Sequence, residues 1–358
     1  MTAKRLYLHI GMPKTGTDSI QRWFAGNAEA LLRLHGLYYL HGYRPHRARI
    51  PQHITPTHCP WLFPLTPEGT DFLREKSREA AATNYTSLLI SDEAAVLPTK
   101  RLANAVPVLR EIFPGHELRI ILVLRRADDW CKSYYGQMCR QAREHDVRSF
   151  AAYCDSPFGL EEGLFALPRT LQALADAVGK ENLLLRIYDR KRMKNGSALD
   201  DFADIFGIGI PLGVPEEVCS DESNPSLPAE ALPYLAPLAD QNSQLPLDLR
   251  NQLLSLLKES FEQSRNFQVK SVDAARISRA VDEVEEWLPG YKKLYQEREF
   301  SLDWPELEVN PALVALSEVL YSLVDRLNQV QNEQRKISDA LHALLAAHNA
   351  QRKRDHPD

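Results

Sequence analysis

Five short apolar runs punctuate the first two hundred residues of the chain, at 6–10, 37–40, 87–91, 118–124 and 183–188. Each is rich in Leu, Ile or Tyr and too short to be a helix of ordinary length, so each predicts a buried strand. The segments between them carry apolar residues three and four apart. Ile20, Trp23 and Phe24 open a helix that runs on through 25–36 to Gly36, and further helices are predicted over 68–83, 99–113, about 127–145, 167–178 and 198–206. Apolar strands alternating with helices predict an α/β fold: a mainly parallel sheet flanked by helices on both faces. In such sheets the ligand lies beyond the carboxyl ends of the strands.

The pattern lapses twice. Residues 41–66 are rich in His, Pro and Arg without periodicity, a long loop of the kind that carries function. Residues 211–231 hold several prolines and read as a linker or cap, after which 232–300 turns helical with Trp287 and several Tyr. Near the C-terminus, Leu313, Leu316, Leu320, Leu323, Leu327, Val330, Gln334, Ile337, Leu341, Leu344 and His348 step by alternating threes and fours. That is a heptad seam with one polar break, narrow enough for a coiled coil. It predicts self-association into a homo-oligomer or docking of a partner helix through 313–348, against the alternative of a helix folded back on its own domain. The expected organisation is an α/β core over 1–210, a helical cap continuing it over 211–305, and a long C-terminal helical extension over 306–358.

Composition narrows this only modestly. The chain has 358 residues, 44% apolar and 25% charged, as globular proteins do. A net charge of −5 argues against nucleic acid as a general partner. The five cysteines (Cys59, Cys131, Cys139, Cys154, Cys219) are scattered and lack a C-x-x-C pair, which favours reduced thiols over a disulfide framework or zinc site. The first strand begins almost at Met1, leaving no room for a signal peptide, and no apolar run approaches the ~20 residues of a membrane span. The expected location is cytoplasmic.

The candidate chemistry starts where the first strand ends, in Gly11-Met12-Pro13-Lys14-Thr15-Gly16-Thr17-Asp18-Ser19. A strand, a glycine-containing turn and a helix start together present free backbone N–H groups to an anion. Lys14 adds positive charge; Thr15, Thr17 and Ser19 add hydroxyls. A nucleoside-triphosphate loop places Lys directly after its second Gly with a metal-binding hydroxyl next to it. Here Lys14 comes two residues before Gly16, and no such hydroxyl follows a lysine. A second constellation follows the fourth strand: Arg125 ends the strand and Ser133 lies eight residues on, about two turns into the next helix. An arginine fork with a hydroxyl suits a phosphate; the competing arrangement pairs Arg125 with Asp128 or Asp129 at the helix start.

Pro13-Lys14-Thr15-Gly16-Thr17 after a strand resembles the phosphosulfate-binding loop of sulfotransferases that use 3′-phosphoadenosine 5′-phosphosulfate (PAPS). Arg125 with Ser133-Tyr134-Tyr135 is similar to the segment that holds the donor's 3′-phosphate in that family. Tyr188, ending the fifth strand, matches a Tyr lying against adenine; as a residue it equally suits a cap on the sheet edge. The resemblance covers roughly 5–210 through short motifs in order. It implies the P-loop-like sulfotransferase fold, transfer of a sulfuryl group from PAPS to a hydroxyl or amine, adenosine 3′,5′-bisphosphate as product, and no metal. The donor would be held by Lys14, Thr15, Gly16, Thr17, Asp18, Ser19, Arg125, Ser133 and Tyr188. Asp18 departs from the family, which usually has Thr or Ser touching phosphate there. A carboxylate ~4 Å from a phosphate costs on the order of 1–4 kcal/mol, so either Asp18 turns to the helix start and Ser19 supplies the hydroxyl, or donor binding is weakened.

Sulfuryl transfer needs a general base, electrostatic stabilisation of the leaving phosphate and in-line placement. Lys14 suits the second task. Glu93, in Ser91-Asp92-Glu93, resembles the Ser-x-Glu of bacterial and carbohydrate sulfotransferases and is the favoured base. His53, in the 41–66 loop, is the other catalytic candidate, as base or acceptor-side residue. That loop, with Tyr43, His46, Arg47, Arg49 and Trp61, would suit a glycan or another anionic, partly aromatic acceptor. Two rival functions stand beside this one: an ATP-dependent phosphotransferase, and a catalytically silent relative acting as a scaffold.

Overall fold

The five apolar runs become five strands: β1 (Arg5–His9), β2 (Leu37–Leu40), β3 (Ser87–Ser91), β4 (Glu117–Arg125) and β5 (Leu183–Tyr188). The computed structural model describes residues 4–45, 55–63, 65–93, 100–141, 153–154, 157–210 and 273–302, with the isolated positions 326, 330, 333 and 334. The chain divides into two units. The first comprises 1–134, 149–225 and 269–302; the second comprises 135–148, 226–268 and 303–358.

In the first unit all five strands are parallel, in the order β2-β3-β1-β4-β5. The helices are α1 (Thr17–Gly26), α2 (Ala28–His35), α3 (Pro67–Ala81), α4 (Lys100–Ile112), α5 (Ala127–Gln141, its residues from Tyr135 on belonging to the second unit), α6 (Leu167–Val178), α7 (Ala198–Asp204), α8 (Ala274–Glu285) and α9 (Lys293–Glu297). This is the expected α/β sheet flanked by helices. From β1 the chain goes outward to β2, returns through β3, then crosses to β4 on the other side of β1. The crevice outside the carboxyl end of β1 is therefore the topological switch point where such folds bind ligands.

Alternation along the strands assigns the two faces. Tyr7, Leu89 and Ile121 point to one face, where Ile20, Trp23 and Phe24 of α1, Leu31 of α2 and Leu199 and Phe202 of α7 close a buried cluster. Leu6, Leu8, Leu88, Ile90, Ile120 and Leu122, also buried, alternate to the other. The 20–36 helix is two helices rather than one. Asn27 breaks it by turning both its backbone N–H and its side-chain amide onto the carbonyl of Trp23, at 3.0 and 2.9 Å. Gly36 then ends α2 in the left-handed conformation, φ 62°.

One element has no sequence counterpart: a widened helical turn over Pro157–Phe165, interrupted at Gly159. A Cβ added at Gly163 there would lie 2.4 Å from the buried Trp130 ring, so the helix approaches the indole as only glycine permits. The 211–231 linker, residues 232–272 and the heptad seam fall outside the described residues, save four exposed helical positions that include Val330 and Gln334 of the seam.

Candidate functional site

The loop after β1 is fixed by what binds its carbonyls. The β1–β4 ladder runs on into it, with Met12 N–H on the Val123 carbonyl at 3.0 Å and Val123 N–H on the Gly11 carbonyl at 2.9 Å. The next three carbonyls are each taken by a side-chain donor. The Thr15 hydroxyl donates to Met12 at 2.6 Å, the Trp130 indole to Pro13 at 3.1 Å, and the Arg125 guanidinium to Lys14 at 2.9 Å. In a trans peptide the N–H points opposite its carbonyl. Tying down the carbonyls of Pro13 and Lys14 therefore turns the N–H groups of Lys14 and Thr15 to the other side of the loop, towards the start of α1. There the first N–H groups of the helix have no partner within it. Such a grouping of N–H groups, a cradle, has the polarity that suits an anion.

Two glycines let the loop close. Gly11 (φ 88°) lies against the backbone of Glu93, where a Cβ would come 2.9 Å from the Glu93 carbonyl oxygen. Gly16 (φ 78°) caps α1, where a Cβ would meet the Ala198 methyl at 2.9 Å and the Tyr188 ring at 3.5 Å. Lys14 itself sits at φ 69°, a rare conformation for a residue with a Cβ and a common mark of a functional turn. Thr17 and Ser19 are buried in the first turn of α1, and Asp18 between them is exposed. Gly16 rather than Asp18 caps the helix; Asp18 sits in the first turn, where the helix dipole favours a carboxylate.

The end of β4 meets this loop. Arg125 and Tyr188 are register partners across β4 and β5, and the guanidinium stands 5.2 Å from the Tyr188 ring centre. Lys14, Gly16, Arg125 and Tyr188 are thus brought together. Ser133 lies half-buried at the end of the second turn of α5. The ion pair weighed for Arg125 falls to its neighbour: Arg126 donates to Asp128 at 2.8 Å, both side chains buried. Arg126 also donates to the carbonyls of Leu294, Arg298 and Glu299, while Asp128 accepts from Ser301 N–H at 3.1 Å. This clasp holds residues 294–301 against the β4–α5 turn. It brings Arg298, bound to Asp129 at 2.6 Å, close enough to Arg125 for the two guanidiniums to repel.

On the other side of the loop stands Glu93, just past β3. The Gln21 amide donates to its carboxylate at 3.2 Å and to the Ser91 hydroxyl at 3.0 Å, and the Thr17 hydroxyl also bonds to it. Burial pushes the Glu93 carboxyl up in pKa; nearby Asp18 acts the same way, while the bonds from Thr17 and Gln21 and the Lys14 charge oppose the rise. Ser91 in turn meets His9 Nδ1 at 2.9 Å. Burial holds His9 neutral, lowering its pKa to about 3.

The segment 55–63 runs along the tips of β2 and β3. Cys59 N–H donates to Ser91 at 3.0 Å, and the buried Asp92 carboxylate accepts from Trp61 and Phe63 N–H at 3.3 and 3.1 Å. His58 here is lowered to about 4 by burial, opposed by Asp18. His53, His46, Arg47 and Arg49 lie outside the described residues. Among the described residues no His, Cys, Asp and Glu cluster could hold a metal ion, and no helix is long and apolar enough to cross a membrane.

Gln21, His9 and Arg298 were not among the candidates drawn from sequence. Two of them did leave a signal. Gln21 is, with Thr17, a polar member of the inward stripe Thr17, Ile20, Gln21, Phe24, and His9 is the polar end of a buried strand.

No protein-family model and no curated protein matches the chain. Among solved structures, a sulfotransferase from Alicyclobacillus acidocaldarius is similar at 14% identity and a TM-score of 0.39, over 81% of this chain and 100% of that one. A likeness at that level speaks for neither reaction nor ligand.

Proposed function

We propose that the chain is a PAPS-dependent sulfotransferase acting on a hydroxyl or amine acceptor. The observation that carries this is the 2.9 Å bond from Arg125 to the Lys14 carbonyl. It joins the Arg125 guanidinium directly to the loop, which supports reading the two as parts of one anion site, of the kind a nucleotide phosphorylated at both ends of its ribose would use and ATP would not. The residues fit such a donor. The cradle N–H groups of Lys14, Thr15, Gly16, Thr17, Asp18 and Ser19 would hold the 5′-phosphosulfate, Arg125 and Ser133 the 3′-phosphate, with Arg298 as a further cation, and Tyr188 the adenine. Thr15 would act through its N–H, because its hydroxyl proton is spent on Met12.

The donor supplies an activated sulfuryl group, whose S–O bond to the 5′-phosphate breaks with its electron pair leaving on phosphate. Lys14 neutralises that charge, and the cradle N–H groups orient the phosphate. Glu93 takes the acceptor's proton on a carboxylate oxygen as the new O–S bond forms; its partial desolvation makes it a stronger base than a surface carboxylate. His53 remains an acceptor-side candidate. The acceptor itself is proposed only as a class, a glycan hydroxyl among its members.

Calorimetry tests the reading. Adenosine 3′,5′-bisphosphate is expected to bind at least about tenfold tighter than ATP with Mg²⁺, a difference of ~1.4 kcal/mol. Tighter binding of ATP would overturn the assignment in favour of a phosphotransferase.

A further inference from the structure

We propose that Gln21 is a positioning residue for Glu93, aimed by Ser91 and His9 from inside the sheet. An ionised carboxylate only accepts hydrogen bonds, and a side-chain amide has one donating and one accepting end. Which end faces Glu93 therefore decides whether the contact attracts or repels.

The surroundings settle the direction. Gln21 Nε2 lies 3.0 Å from Ser91 Oγ and 3.2 Å from Glu93 Oε2, so its two N–H bonds are divided between the hydroxyl and the carboxylate. Gln21 is buried to 1% exposure and Ser91 likewise, so no water competes for the amide. His9, buried behind them with its ring against Phe202 at 4.6 Å, closes the chain through Nδ1 on Ser91 Oγ. β1, β3 and α1 each contribute to this line, which ends at one oxygen of one carboxylate. A polar line through a packed core costs stability unless each member finds a partner. His9 Nε2 finds none among the described residues, an imperfection in an otherwise apolar position. A leucine at 21 would complete the apolar stripe of α1; the amide stands there instead.

The effect on chemistry follows. Holding Oε2 with an N–H fixes the carboxylate's rotation. It also stabilises the charged form against the burial that disfavours it. The charged or titratable groups that face Glu93 from the surrounding elements are Lys14 of the loop, Asp18 of α1 and Tyr39 of β2. Lys14 and Asp18 act in opposite senses, and the neutral Thr17 and Gln21 donors work against the burial that raises the carboxyl.

The test is Gln21→Met, which keeps volume and removes the donor, with Ser91→Ala as a second variant that releases the amide's aim. Carboxyl carbon NMR of the full chain, with the Glu93 signal assigned by its loss in Glu93→Gln, reads the titration without any turnover. Gln21→Met is expected to move the Glu93 midpoint up by about one unit, a tenfold gain in proton affinity, and Ser91→Ala in the same direction by less. In turnover, the acid limb of kcat/KM moves with it. Resting as it does on Glu93 as the base, the catalytic half fails separately: a shifted midpoint with Glu93→Gln still active would remove Glu93 as base while leaving the positioning in place. A folded Gln21→Met whose Glu93 midpoint is unmoved overturns the inference, and in a chain where that variant does not fold, an unmoved midpoint in Ser91→Ala does so.

Discussion

Arg125 and Glu93 are bound to different partners, and their replacements are expected to fail in different ways. Arg125→Ala removes a charge-assisted donor from the proposed 3′-phosphate site and frees the Lys14 carbonyl, so on that proposal bisphosphate affinity should fall about tenfold to a hundredfold by calorimetry. Glu93→Gln keeps the carboxyl's shape and loses the proposed base. It should abolish turnover with donor affinity nearly unchanged, an interaction made only in the transition state. A third residue carries a purely steric prediction. Gly163→Ala puts a methyl 2.4 Å from the Trp130 ring, and Trp130 holds the Pro13 carbonyl. About 1–3 kcal/mol of stability should be lost in denaturant titrations, with weaker bisphosphate binding although residue 163 is not in the cradle. At this scale the sequence singled out Lys14, Gly16 and Arg125 by short local wording, and the structure brings these three together. It hid Gln21, because nothing local says that an amide on α1 will meet a strand tip seventy residues away.

Elements were more legible than their joints. All five strands appear where apolar runs lie, within a residue or so at each end, because a buried parallel strand needs little besides such a run. The break at Asn27 and the helical turn over Pro157–Phe165 were not legible: one depends on side-chain capping, the other on a close approach to Trp130. Of the Arg125-Arg126 pair the sequence singled out Arg125, with a helix-start ion pair as its competing role; the structure gives the Asp128 pair to Arg126. On an extended strand successive side chains point to opposite sides, so Arg125 turns to the loop while Arg126 turns to the chain at 294–301. Arg126→Met is expected to leave the buried Asp128 carboxylate with only the longer, 3.8 Å ion pair to Arg298 and to take the Arg126 donor from three carbonyls, lowering stability by about 3 kcal/mol in urea titrations. Loss of that clasp should also free Arg298 from the neighbourhood of Arg125.

Across the molecule, the buried histidines set a pH dependence. His9 drops from an ordinary value of 6.5 to about 3, and His58 to about 4, both chiefly through burial. The unfolded chain therefore takes up protons below pH 6.5 that the folded chain refuses. The stability these neutral rings allow is intact above pH 6.5 and falls with acidification, by up to about 1.4 kcal/mol per unit per histidine, until the folded rings protonate near pH 3 and 4. Denaturant midpoints measured from pH 7 to pH 4.5 should show this slope, and His9→Gln should flatten it. The Arg126 clasp has a final bearing on how the protein would behave under a protease. One strand tip steadies both the proposed nucleotide site and a late stretch of chain that contains Lys292, Lys293 and Arg298. Filling the pocket should restrain that tip, so trypsin ought to nick those three positions more slowly when adenosine 3′,5′-bisphosphate is present, at a distance in sequence of more than 160 residues from the arginine that grips it.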